Sequence, residues 1–216
     1  AAEFGVPRVC TVEELLAEFE ETEAILEEHT FDTGAVSINY AEGPSTGPPL
    51  VLLHGGGGLW QSFWTVIPDL VTAWHVYALD FRGHGKSGRV AAAYRFADYA
   101  QDTVAFLRNQ LGELAILWGQ SLGANVAIAV AAKAPETVRA LVLEEPGLDF
   151  RKDMEEFRDF LVHWRDLARS GRPVEETIIA LANMPVPVPG HDEPLRLGDL
   201  RDDVYLRLTA ECLSKA

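Results

Sequence analysis

The sequence predicts an α/β fold: a predominantly parallel, doubly wound sheet followed by a helical segment. Three observations predict it. From Leu50 to Leu143, short apolar runs (Leu50–Leu53, His75–Leu79, Leu114–Trp118, Ala140–Leu143) alternate with longer segments whose apolar residues recur at helical spacing. Such alternation implies parallel strands joined by right-handed crossovers, with helices on both faces. The residues suited to chemistry, His54 to Gly58, Asp80 to Gly88, Gly119 to Gly123 and Glu144 to Gly147, all follow such runs directly. Open parallel sheets bind ligands at those carboxyl ends. After Pro146 only helical periodicity continues, so the last segment is a helical subdomain and not more sheet.

Taken in order, residues 1–29 read as an N-terminal helical extension, 30–149 as the core and 150–216 as the helical subdomain. Thr11-Val12-Glu13-Glu14 has capping-box spacing, and Val12, Leu15, Leu16 and Phe19 continue an amphipathic helix to about residue 27. Thr30–Asp32 and Ala35–Tyr40, joined through Thr33-Gly34, predict an antiparallel hairpin. Leu50-Val51-Leu52-Leu53 is continuously apolar, as a strand buried on both faces must be. Residues 61–72 predict the first crossover helix, and Phe96–Gly112 a second with Ala100, Val104, Phe106, Leu107 and Leu111 inward. Beyond Pro146, Met154 to Leu167, a segment starting at Pro173 and one through Leu200, Val204 and Leu208 predict three helices. Met184 to Gly190, with three prolines, reads as a semi-rigid linker between the last two.

The organising stretch is Gly119-Gln120-Ser121-Leu122-Gly123, between a buried-strand run and the small-residue helix Ala124–Ala132. A G-x-S-x-G turn from strand to helix is a nucleophile elbow, which strains the serine backbone and presents its hydroxyl above the sheet. Gly119 and Gly123 leave room where a Cβ would collide with a neighbouring element. By itself the string also fits a glycine-rich helix entry without chemistry. His54-Gly55-Gly56-Gly57-Gly58, directly after the first core strand, leaves backbone N–H groups uncovered by side chains, which suits donors aimed at a developing negative charge. A flexible turn with no donor role is the plainer alternative. Dinucleotide binding fails on spacing, because a G-x-G-x-x-G from Gly55 would need glycine at Trp60 and one from Gly56 at Gln61. The stretch ending Gly85-Lys86-Ser87 is not a Walker loop, since Asp80 stands where its first glycine belongs. Asp80 and His84 read as residues that hold their loop by hydrogen bonds.

Composition limits the partners. A formal charge of −15 without a basic stripe argues against nucleic acid. Cys10 and Cys212, near opposite ends, imply no disulfide framework and fit a reducing compartment. No apolar run reaches membrane-spanning length, and residues 1–30 are too acidic for a targeting peptide. A cytoplasmic protein acting on a small molecule, with no cofactor or metal, is the expectation.

His54-Gly55-Gly56, Leu79-Asp80-Phe81-Arg82-Gly83-His84-Gly85-Lys86-Ser87 and Gly119-Gln120-Ser121-Leu122-Gly123, in this order and context, resemble the α/β-hydrolase superfamily over about residues 30–150. The chain is most similar to its capped serine hydrolases: esterases, lactonases, carbon–carbon bond hydrolases and cofactor-free haloperoxidase-like enzymes. Ser121 sets it apart from epoxide hydrolases and haloalkane dehalogenases, which place Asp there. The resemblance implies that Ser121 is the nucleophile, that the N–H groups of Leu122 and Gly56, or Gly55, form the oxyanion hole, and that residues 150–216 are a cap. Trp60, Gln120, Phe157 and Trp164 are candidates to line an apolar substrate pocket, with core packing the alternative for the aromatics.

In that family the triad acid and histidine follow the cap on later strands, whereas this sequence ends at Ala216. His191, in Gly190-His191-Asp192, imitates the terminal Gly-His without its preceding strands and reads as a cap-loop residue. Glu144 and Glu145 stand at a strand end, where some relatives place the acid. The chain is therefore expected to be an incomplete serine hydrolase of small, largely apolar esters or related acyl compounds, inactive as it stands. Its exposed last strand is expected to lower stability or to make copies associate into a homo-oligomer. A noncatalytic ligand-binding or regulatory protein on the same fold is the alternative.

Overall fold

The computed structural model describes residues 12–147, 158–186, 193–201 and 203–214. The Thr11 capping box, Met154, Phe157 and His191 lie outside the described residues. Helix α1 (Val12–Glu23) precedes the hairpin β1 (Glu27–Asp32) and β2 (Ser37–Glu42). Then come β3 (Pro49–Leu53), a 3₁₀ turn (Trp60–Phe63), α2 (Ile67–Leu70), β4 (His75–Leu79), α3 (Phe96–Phe106), β5 (Ala115–Gln120), α4 (Leu122–Lys133) and β6 (Val138–Glu144). The helical segment contains α5 (Arg158–Ala168), α6 (Val174–Ala182), α7 (Leu197–Leu200) and α8 (Asp203–Ser214).

The six strands form one mixed sheet in the order β1-β2-β4-β3-β5-β6. β2 runs antiparallel to both β1 and β4, while β4, β3, β5 and β6 pair in parallel. The continuous apolar run of β3 is explained by its two faces. Val51 and Leu53 enter a core with Val104 and Phe106 of α3 and Val126 and Val130 of α4. Leu50 and Leu52 enter the opposite core with Trp60, Phe63, Ile67 and Val71. Each face of the central strand is thus covered by helical residues, as a parallel sheet requires.

Several local expectations are corrected. The first crossover is not one helix over 61–72 but a 3₁₀ turn and a four-residue α2. Pro68 is the reason: lacking an N–H and clashing with the preceding turn, it is tolerated only at a helix start, where α2 places it. The helix from Phe96 leaves α geometry after Phe106, widens into a π turn over Leu107–Leu111 and stops at Gly112, whose φ of 72° is left-handed. The proline linker is partly a strand. Pro185–Val186 (β7) pairs antiparallel with Leu195–Arg196 (β8), and the third helix of this segment divides into α7 and α8.

The helices of this segment bury an apolar cluster of their own, with Leu181, Met184, Leu197, Leu206, Ala210 and Leu213 inside and Phe160, Trp164 and Leu167 against it. On the sheet, β6 is the outermost described strand on its side, and Val142 and Leu143 remain 44% and 38% exposed. No described helix is long and apolar enough to cross a membrane.

Candidate active site

Ser121 stands between the last residue of β5 and the first of α4. Its φ of 50° and ψ of −107° are a conformation that side-chain-bearing residues avoid, at a cost of about 1–3 kcal/mol. Neighbours hold it there. Its N–H donates to the Glu144 carbonyl at 2.8 Å, and its own carbonyl accepts from the Asn125 N–H at 3.1 Å. The flanking glycines permit the corner: a Cβ on Gly119 would lie 2.3 Å from the Gly123 carbonyl, and one on Gly123 would lie 1.9 Å from the Leu53 oxygen. Ser121 is exposed while Gly119 and Gly123 are buried, so the corner presents the serine outward. Leu122 opens α4, where the first N–H groups have no acceptor within the helix and carry its positive dipole end.

The glycine loop lies against this corner. A Cβ on Gly55 would come to 3.7 Å from the Ser121 Cβ and 3.6 Å from the Gln120 carbonyl oxygen. Gly56 is exposed, and no described residue accepts its N–H. Gly57, at φ 76°, donates its N–H to His84 Nε2 at 3.3 Å, and Gly58 closes the turn by donating to the Gly55 carbonyl at 3.1 Å.

Two imidazoles, His54 buried and His84 half-buried, support the loop from beneath. His54 accepts the Phe81 N–H at Nε2 (3.0 Å), which leaves the proton on Nδ1 to be donated to the Gly55 carbonyl (2.7 Å). His84 repeats the pattern, with Nε2 facing the Gly57 N–H and Nδ1 donating to the Arg82 carbonyl at 3.1 Å. The two rings are 5.0 Å apart. Burial, with His84 alongside, pushes His54 down to about 3. Burial also lowers His84, with Arg89 adding to the effect. Both rings are held neutral because each Nε2 faces a donor and has no acceptor for a second proton.

Asp80 ties the same region together. Its buried carboxylate accepts from the Trp60 N–H (2.7 Å), the Lys86 N–H (3.0 Å) and Asn39 Nδ2 (2.9 Å). Burial raises its pKa, and these three donors oppose the rise. Asp80 and His84 therefore hold their loops by hydrogen bonds. Sequence reasoning missed Asn39 and the buried pair of Arg82 with Asp102, whose two contacts are both 2.6 Å. The available signal was Asp102 itself, a charge on the inward side of α3.

The other candidates disperse. Gln120 Nε2 donates to Glu144 Oε1 at 3.1 Å beside the corner, and Glu145 has a left-handed φ of 50°. Trp60 is 2% exposed and packs in the second core, its indole N–H reaching Glu28 at 3.4 Å, so core packing accounts for it. Trp164 reaches the glycine loop: a Cβ on Gly57 would fall 2.3 Å from its ring. His75 pairs with Glu42 at 2.9 Å at the opposite, amino end of β4, and His29 sits on β1 near Glu27. His163 on α5 shares Nδ1 with the Asp159 carbonyl. No described group of three or more His, Cys, Asp or Glu is arranged to hold a metal. Two open hollows, one beside Leu15 and Trp64 and one beside Arg172 and Ile179, do not include Ser121.

The chain is similar to known proteins. The profile of the alpha/beta hydrolase fold matches residues 48–207. A 2-(acetamidomethylene)succinate hydrolase of Mesorhizobium japonicum is 35% identical over 111 residues, covering 51% of this chain and 40% of the relative. A pyrrolizixenacetamide deacetylase of Xenorhabdus hominickii is 33% identical over 150 residues, covering 68% and 56%. The chain thus spans about half the length of these curated relatives. Among solved structures, the carboxylesterase CesB (YbfK) of Bacillus subtilis aligns with a TM-score of 0.65 at 20% identity, over 92% of this chain and 66% of that one, a likeness of fold. With the profile matched over most of its length and its glycine loop and strained serine corner side by side, this chain belongs to the alpha/beta hydrolase fold family.

Proposed function

We propose that the protein is a serine hydrolase of small, largely apolar esters or related acyl compounds. The observation that carries the reading is the backbone of Ser121, strained at φ 50° beside an exposed glycine whose N–H no described residue accepts. Strain at a non-glycine residue persists where a site needs it. In the proposed reaction Ser121 Oγ adds to the acyl carbonyl carbon while its proton passes to a base. The carbonyl oxygen becomes an oxyanion that accepts from the N–H groups of Leu122 and Gly56, with Gly55 as the neighbouring donor. Such donors are worth about 3 kcal/mol of barrier each. Collapse expels the leaving group with a proton, and water then releases the acid from the acyl-serine. Relatives named as a deacetylase and as a hydrolase of an acetamido compound support acyl transfer to water.

The base comes from outside the described residues. Both nitrogens of His54 and His84 are engaged by backbone groups, and neutral imidazoles so engaged are poor proton acceptors. Residues 150–216 act as the cap over the site, 30–149 as the catalytic core and 1–29 as an extension. The cysteine usage supports a cytoplasmic location. A noncatalytic ligand-binding role is the second reading, favoured by that same engagement of His54 and His84.

The test is ester hydrolysis and labelling by a serine-directed phosphonate, with Ser121→Ala alongside. Single labelling at Ser121 with loss of turnover in the variant is expected. Unchanged turnover in Ser121→Ala would refute the nucleophile, and binding of acyl compounds without labelling would favour the second reading.

A further inference from the structure

Resting on the proposed acyl chemistry, the geometry points to a specific substrate class: Trp164 closes the far side of the acyl slot and restricts the site to short acyl groups. The glycine loop shows three adjacent positions in three different states. Gly55 abuts the serine corner, a Cβ there falling 3.7 Å from the Ser121 Cβ. Gly56 is open, a Cβ there meeting no atom within 4 Å. Gly57 is roofed by the indole of Trp164, whose Cζ2, Cε2 and Nε1 would lie 2.3, 2.9 and 3.2 Å from an added Cβ.

The open space along the loop is therefore bounded by the elbow on one side and the indole on the other. Gly55 and Gly57 are two residues apart, so their Cα atoms lie within about 7 Å of each other and the indole stands near the serine corner along the loop. A short acyl group on Ser121 stays in the open space over Gly56, and a longer chain running along the loop meets the ring edge. The wall is held from behind. Trp164 packs on Phe160, ring centres 5.3 Å apart, and both lie against the apolar cluster of α6, α7 and α8. From the loop side, Gly57 is held by its N–H bond to His84. Moving the ring aside would disturb that packing, so the limit is built into two elements at once.

The experiment compares p-nitrophenyl acetate, butyrate and octanoate with the protein as expressed from its gene, for wild type, Trp164→Ala, Trp164→Phe and Ser121→Ala. Thermal melting confirms that each variant is folded. In parallel, intact mass spectrometry follows Ser121 labelling by ethyl and octyl phosphonofluoridates, which reads the same slot where turnover is slow.

Wild type should favour acetate and butyrate, and Trp164→Ala should raise the octanoate-to-acetate ratio of kcat/KM by about tenfold or more, the scale on which apolar pockets discriminate. Trp164→Phe, which keeps a ring at the wall, should stay close to wild type. Gly57→Ala, whose added Cβ displaces the indole, should shift the ratio in the direction of Trp164→Ala. An unchanged ratio in folded Trp164→Ala, with Ser121 still required, would overturn the wall and leave the hydrolase reading intact. Absence of Ser121 labelling by either phosphonate would overturn both together.

Discussion

Because both imidazoles beneath the glycine loop are held neutral, acid should begin to destabilise this protein before its carboxylates protonate. The perturbation is a fall in pH through the range where an unfolded histidine gains its proton, about 6.5. In the folded chain His54 is fully buried with its Nε2 facing the Phe81 N–H, and burial, with His84 alongside, holds its pKa down to about 3. The folded state therefore binds fewer protons than the unfolded state between these values. Stability present above the unfolded pKa is lost as pH falls toward the folded one, at up to about 1.4 kcal/mol per pH unit for this one side chain. At pH 5 the loss from His54 reaches about 2 kcal/mol, a large part of a domain stability of about 5–15 kcal/mol. His84, lowered by burial and by Arg89, acts with the same sign.

Urea unfolding from about pH 8 to pH 5, for wild type and for His54→Asn and His84→Asn, measures the slope. Asparagine can both donate and accept in these positions but takes up no proton. Each variant should therefore be less pH-sensitive than wild type whatever its absolute stability. A flat wild-type profile, or a slope unaltered in both variants, would refute the assignment of neutral, backbone-engaged rings.

Two further outcomes test the frame around the site. Gly123→Ala places a Cβ 1.9 Å from the Leu53 oxygen and 2.5 Å from its carbon, where backbone must yield. It should lose at least about 3 kcal/mol, or roughly 6–12 °C of Tm by calorimetry, and an unchanged Tm would contradict the corner geometry. Asp102→Asn leaves the buried guanidinium of Arg82 without its bidentate partner. The cost should be about 3–5 kcal/mol in chemical denaturation, while the paired Arg82→Met, Asp102→Leu variant recovers most of it. Additive losses for Arg82→Met and Asp102→Leu, each made alone and then together, would show that the pair is not coupled.

The sequence alone determined which segments enter the sheet and which cover it. Burial on one face or both is written residue by residue into apolar runs and helical spacing, and β3 and α3 show it. It also determined the corner at Ser121. Glycines at 119 and 123 mark the need for space within one short turn, and that need is local. Local chemistry was sometimes misjudged: Pro68 restarts the first crossover, and Pro185–Val186 finds a strand partner across the linker. Only the tertiary structure decided what the site residues touch. His84 meets Gly57, Asp80 gathers donors from Asn39, Trp60 and Lys86, and Trp164 lies on the glycine loop although α5 is remote from it in the chain. Trp60 and Trp164 look alike as aromatic candidates in the sequence, yet one fills the core and the other roofs Gly57. Periodicity specifies which face a side chain buries. The neighbour across that face is chosen by the order in which strands and helices pack, which no local pattern contains.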